Sequence, residues 1–466
     1  MALRFVSVGY NEFIMSRLTT RNPFSGELLE SYPCESHSSL QTRLDQAEKS
    51  YLEWSCLSLA DRVGLLKRVR NRLLTNLELH ARLITSEMGK PIRESRSELH
   101  KCLWLMDYFL EQSAQMLLPR REDLGEKEVV QYLEATGAVL GIMPWNFPYW
   151  QVIRFAIPTL LLGNIVILKH APLTTGCGLA LQALFENEQP GIFQTIVVPV
   201  SQVEQVIAHR IVQGVCLTGS AKAGKAVASL AGAYLKKSVL ELGGADAFVV
   251  LKDAELEKAM NAAFLSRTLN AGQSCIAAKR IFVHRSQLGA AQDILKDRLS
   301  SIVQGDPLEE DTTMGPLSSI DAARTLLQQQ QRMLEGGGRL IHSGTYDGTQ
   351  VGASLIVAEA TNPLNQEELF GPILTLIPWD HHKELIRAVN NSPFGLGGSV
   401  WGNDQKLLQD IAHKMKTGAV ALNSMMSSDP RIPFGGIRKS GYGREMGQEG
   451  LKSFANMKVL VREKQG

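Results

Sequence analysis

From Ala138 onward, short β-branched runs alternate with stretches whose apolar residues recur at helical spacing. Ala138–Met143, Asn164–His170, Thr195–Val200 and Val215–Thr218 read as strands, with helices expected from Trp150 and over Val203–His209. A second alternation follows. It predicts strands at Ala247–Leu251, Arg280–His284, Leu374–Trp379 and Ala419–Asn423, and helices over Ala254–Asn270, Gln287–Val303 and Gln405–Lys416. Parallel strands need long crossovers, and helices supply them, so this rhythm implies an α/β fold with helices covering parallel sheets. Before residue 120 the pattern is mostly helical and charged, as in Ser58–Met88. Thr136–Gly137 and Gly243–Gly244 mark hand-over points between units, and there is no internal repeat.

With 466 residues, 44% of them hydrophobic, the chain can bury more than one core. A formal net charge of +2 offers no electrostatic case for nucleic-acid binding. Six cysteines are scattered without CxxC or Cys/His spacing, which argues for a reducing compartment, the cytoplasm, and against a metal site. No uninterrupted apolar stretch of about 18 residues predicts a membrane span. Asn11 and Glu12 interrupt any leader core, and Met15 is a candidate start preceded by an extension.

Three local patterns bear on chemistry. Asn270-Ala-Gly-Gln-Ser-Cys275 follows a predicted helix, and a cysteine after a glycine-containing turn can face a cleft as a nucleophile. Taken alone, Cys275 is as readily a buried packing residue. Glu241-Leu-Gly-Gly244 puts a carboxylate at a strand end with room to move, which suits a general base but equally a solvated strand end. Pro144-Trp-Asn-Phe-Pro148 fixes Asn146 between prolines, either as a rigid amide donor to an oxyanion or as a turn residue. Gly219-Ser-Ala-Lys-Ala-Gly-Lys225 matches a phosphate loop until Ala226, where the Mg²⁺-ligating hydroxyl is missing.

Together these stretches resemble the aldehyde dehydrogenase superfamily. The likeness runs through Gly163–Lys169, Thr218-Gly-Ser220 with Gly224, Glu367–Pro372, Pro433–Gly436 and Ser440–Glu445, in the family's order and spacing. Leu168–Pro172, Trp150–Arg154 and Ser428–Arg431 resemble the bacterial succinate-semialdehyde dehydrogenase branch.

The resemblance implies a Rossmann-type cofactor domain over 20–117 and 138–243 and an α/β catalytic domain over 244–425. It adds oligomerisation and closing segments at 118–137 and 426–466, and a homodimer or homotetramer. Cys275 would attack the aldehyde, Glu241 would activate water and Asn146 would hold the oxyanion. Trp145, Lys169, Gly219, Ser220, Gly224, Leu242, Glu368 and Phe370 would bind NAD or NADP. Pro172 stands where NAD-selective members often carry glutamate, so both cofactors are expected. Arg154 and Arg431 would grip a substrate carboxylate. Members that acylate coenzyme A commonly lack the glutamate found at 241, and no histidine sits in a motif for a cysteine hydrolase. A non-catalytic member of the fold would have no use for Cys275, Glu241 and Asn146 together.

Overall fold

The computed structural model describes residues 16–464, so the expectation about Met15 and the segment before it lies outside the described residues. A six-stranded sheet has the spatial order Gly441–Tyr442, Lys237–Glu241, Val212–Thr218, Ala138–Met143, Ile165–His170, Phe193–Thr195. All its pairings are parallel except that of Gly441–Tyr442. The chain starts in the middle at Ala138–Met143, builds outward one way, then crosses to Val212–Thr218 on the other side. The strand order therefore reverses between these two neighbours. In open α/β sheets a crevice forms at such a point, beyond the carboxyl ends of the strands. Pro144–Pro148 leaves one strand there and Gly219–Ser220 leaves the other.

The helix Trp150–Leu162 is buried along its whole length, as an all-round apolar helix must be. It packs closely because a Cβ on Gly141 would stand 2.1 Å from the Phe155 ring. Its first turn leaves N–H groups without intrahelical partners. Glu98, on the helix Ile92–Met116, accepts two nearby backbone N–H groups, from Tyr149 at 2.8 Å and Trp150 at 2.9 Å. The buried Lys90 neutralises that carboxylate at 2.6 Å.

A seven-stranded sheet has the order Arg339–His342, Ser354–Val357, Ile373–Trp379, Arg280–His284, Ala247–Val250, Gly398–Trp401, Ala421–Leu422. Apolar clusters cover both of its faces. A third, three-stranded antiparallel sheet pairs Lys127–Glu134 with Arg120–Asp123 and with Asn456–Glu463.

Most predicted elements form within a few residues of their expected ends. Thr195–Val200 does not: only Phe193–Thr195 pairs, at the sheet edge. Beyond it Val197 exchanges hydrogen bonds with Glu35, and Pro199 has no N–H to offer a ladder. Ser58–Met88 is two helices, Leu59–Thr75 and Leu77–Met88, divided at Asn76. The hairpin Arg17–Arg21 with Leu28–Pro33 was not anticipated, although its Asn-Pro-Phe-Ser-Gly turn is a recognisable signal. Among the described residues no helix is long and apolar enough to cross a membrane.

Candidate active site

Cys275 is partly exposed and lines two cavities, one of about 230 Å³ and one of about 300 Å³. The loop that presents it is backbone-strained: Asn270 and Ala271 have φ of 53° and 50°, a conformation L residues rarely adopt. Several contacts hold it there. The Asn270 side chain donates to the Asn146 carbonyl at 2.9 Å, and the Asn270 backbone N–H donates to Glu94 at 2.8 Å. Gln273 accepts from the Ser318 N–H at 2.9 Å, and Lys279 Nζ donates to the Cys275 carbonyl at 2.6 Å. Burial pushes the Cys275 thiol up to about 11 despite the nearby cations Lys279 and Arg154. The resting sulfur is therefore a thiol, and attack requires that its proton be taken.

Asn146 is buried beside this loop. Its Nδ2 donates one hydrogen to the Gln273 carbonyl at 2.9 Å, and an amide nitrogen carries a second. The Pro-Trp-Asn-Phe-Pro segment is clamped from beneath. His170 Nε2 donates to the Pro148 carbonyl at 3.0 Å while its Nδ1 accepts from the Ala171 N–H at 2.9 Å. That tautomer needs a neutral ring, and burial holds the imidazole down to about 4.

Glu241 ends its strand beside Thr218 and lines the larger cavity. Neither carboxylate oxygen has a hydrogen-bond partner among the described residues. Burial, and then the neighbouring Glu445, push its pKa well above the carboxylate range, against the pull of Arg154 and Arg444. Gly435 leaves it room, since a Cβ there would stand 2.6 Å from Oε1.

The residues lining the larger cavity suit part of a dinucleotide. Pro144, Trp145, Gly219, Ser220, Leu242, Glu368 and Phe370 line it. Ser220 caps the helix Ala221–Ala233, whose amino end favours a pyrophosphate. Glu368 is fixed by the Gly244 N–H at 3.0 Å and by Lys279 at 3.1 Å, and Phe370 meets Trp145 edge-on. A Cβ on Gly243 would fall 2.0 Å from Glu368, so that glycine keeps the carboxylate in place. Gly224 does not line this cavity; it packs against Leu242, where a Cβ would come within 2.6 Å. Lys169 is buried near the end of its strand and is not among the residues lining this cavity, and burial lowers its pKa.

The smaller cavity lies on the other side of the thiol. Phe147, Trp150, Leu269 and Phe434 give it apolar walls, and Arg154 and Lys101 supply cations. Arg154 is already matched: its guanidinium forms an ion pair with Glu445, donates to Thr218 Oγ1 at 3.2 Å and lies over the Phe434 ring. Arg431 does not line the cavity. It is exposed, bound to Asp429 through Nε at 2.9 Å and Nη2 at 2.6 Å, and lies over Trp104. Sequence reasoning did not single out Lys101, Glu98, Lys279 or the Glu445–Arg154 pair. Glu445 lay inside a quoted motif, but nothing in its spacing names a partner so distant in the chain.

Comparison with known proteins agrees with this geometry. The aldehyde dehydrogenase family model matches residues 13–460. The succinate-semialdehyde dehydrogenase [NADP(+)] of Deinococcus radiodurans is 37% identical over 95% of this chain and 94% of its own length. The succinate semialdehyde dehydrogenase [NAD(P)+] of Escherichia coli is 33% identical over 95% and 97% respectively. The crystal structure of succinic semialdehyde dehydrogenase from Streptococcus pyogenes, in complex with NADP+, superposes with a TM-score of 0.93 at 32% identity, covering 96% of this chain and all of that one. With its cysteine shared by two cavities and a family model matching residues 13–460, the chain belongs to the aldehyde dehydrogenase family.

Proposed function

We propose that this chain oxidises succinate semialdehyde, or a close short aldehyde ending in a carboxylate, to the corresponding acid with NAD⁺ or NADP⁺. The observation that carries the reading is the position of Cys275 between the two cavities, with cations on the wall of the smaller one. The similar proteins named for this substrate support it. Pro172, exposed at the start of a short 3₁₀ turn after Lys169, presents no carboxylate to repel a 2′-phosphate, so both cofactors are accepted.

In this mechanism the Cys275 thiol gives its proton to solvent, its sulfur bonds to the aldehyde carbon as the C=O π bond opens, and the resulting oxyanion takes the spare N–H of Asn146. Removal of such a donor typically costs about 3 kcal/mol of barrier. When bound, the nicotinamide supplies the hydride acceptor that raises the adduct from aldehyde to acid level. Glu241 takes a proton from the water that releases the acid from Cys275. Residues 20–117 with 138–243 serve the cofactor, 244–425 carry the nucleophile, and 118–137 with the segment after 426 close the site and join subunits. The strand Asn456–Glu463 exposes Met457, Val459, Leu460 and Val461, which fits burial against a second copy in a homodimer or homotetramer. The six cysteines are all unpaired, which suits a cytoplasmic enzyme.

The test is an aldehyde panel with each cofactor. Succinate semialdehyde should exceed butanal in kcat/KM by tenfold or more. Equal values would leave an aldehyde dehydrogenase of different substrate, one that uses only the apolar walls.

A further inference from the structure

We propose that Lys101 is the residue that recognises the carboxylate of the substrate, with Ser428 beside it. The inference rests on the proposed preference for an aldehyde carrying a distal carboxylate, and it names the group responsible.

Two cations, Lys101 and Arg154, and two acids, Glu94 and Glu98, line the cavity next to Cys275. Glu98 is engaged by Lys90 and by the Tyr149 and Trp150 N–H groups, and Glu94 by the Asn270 N–H. The two cations differ in what they already hold. Arg154 is ion-paired with Glu445 inside the protein, both side chains being almost fully buried. A substrate carboxylate would have to displace or share that partner, and breaking a buried pair is costly. Lys101 forms no ion pair among the described residues. Its Nζ donates to the Ser428 hydroxyl at 2.8 Å and sits 4.4 Å from the centre of the Trp150 ring. An ammonium has three hydrogens, so capacity remains for an incoming anion. The Ser428 hydroxyl accepts from Lys101 and keeps its own hydrogen to donate to the same carboxylate.

The surroundings fit a cation kept waiting for an anion. Burial, and then Arg154, lower the Lys101 pKa to about 8. Cys102 and Glu98 on its own helix and Asp429 on the closing loop pull the other way. Asp429 does not pair with Lys101 directly; Arg431 holds both of its oxygens. At neutral pH the ammonium is mostly charged, and a bound carboxylate would hold that charge more firmly. Above pH 8 the free lysine loses its proton, so recognition of the charged aldehyde should weaken while that of an uncharged one is spared this effect.

The experiment compares kcat/KM for succinate semialdehyde and butanal in the wild-type enzyme, in Lys101→Met and in Lys101→Gln. Gln retains a hydrogen-bonding end for Ser428 without the charge, and it decides the matter if Met fails to fold. Lys101→Arg is the conservative rescue. The expected result is a fall of tenfold or more in the succinate semialdehyde to butanal ratio in the uncharged variants, mainly through KM, with the ratio largely restored by Arg. In the wild type the ratio should decline as pH rises through 8. A wild-type preference that survives intact in Lys101→Gln would overturn the assignment and return recognition to Arg154. Absence of any wild-type preference would instead defeat the proposed substrate itself.

Discussion

At the scale of single residues, burial disfavours the charged forms of the site's two reactive groups. The Cys275 thiol is pushed up to about 11 and the Glu241 carboxyl well above its ordinary range, both chiefly by burial. Each must lose a proton to act. Turnover at saturating aldehyde should therefore rise with pH from neutrality into the alkaline range, and a rate profile that falls over that interval would contradict the assignment. Glu241→Gln removes the proton acceptor and should slow release of the acid more than formation of reduced cofactor. Rapid mixing should then show a retained burst of NADPH followed by a slow steady state. Loss of the burst would place Glu241 at the earlier, thiol-activating step. Cys275, Glu241 and Asn146 could be picked out in the sequence because each lies in a short segment whose glycines and prolines dictate its own geometry. Lys101 could not. Its meaning comes from what it lacks, an acid partner, and from the neutralisation of Arg154 by a residue far along the chain. Neither fact has a local spacing.

At the scale of elements, the strands and helices around the site could be read because their periodicities are local, whereas the devices that fix their ends join distant segments. Glu98 caps the helix Trp150–Leu162 from another helix, and His170 pins the Pro144–Pro148 turn from the next strand. The His170 clamp has a pH signature. Its folded pKa of about 4 lies below the ordinary 6.5, so the unfolded chain binds the extra proton first. The clamp's stabilisation is complete above pH 6.5 and is lost as pH falls towards 4, by up to about 3 kcal/mol at 1.36 kcal/mol per unit. Urea denaturation at pH 7.5 and 5 should show a smaller fall in stability for His170→Asn than for the wild type. An identical fall in both would mean that other groups carry the acid sensitivity.

For the whole molecule, the three-stranded sheet presents an apolar strand that a lone subunit leaves in water. Charged substitutions at Val459 and Val461 should shift sedimentation toward the monomer. If the wild type itself sediments as a monomer, the joining role of this strand is wrong. The same region has a further consequence through its neighbour, the strand Gly441–Tyr442, which completes the six-stranded sheet beside Glu241, and through Glu445, which follows it. Ribosomes deliver these residues long after Cys275. A nascent chain that has emerged as far as residue 430 already contains Cys275, Asn146, Glu241 and Arg154, yet its guanidinium still lacks its counter-ion and the sheet its edge. The chemistry is encoded early and becomes operable only once residues 441–445 have been made. A premature stop before residue 441 should therefore silence the enzyme as fully as loss of the nucleophile.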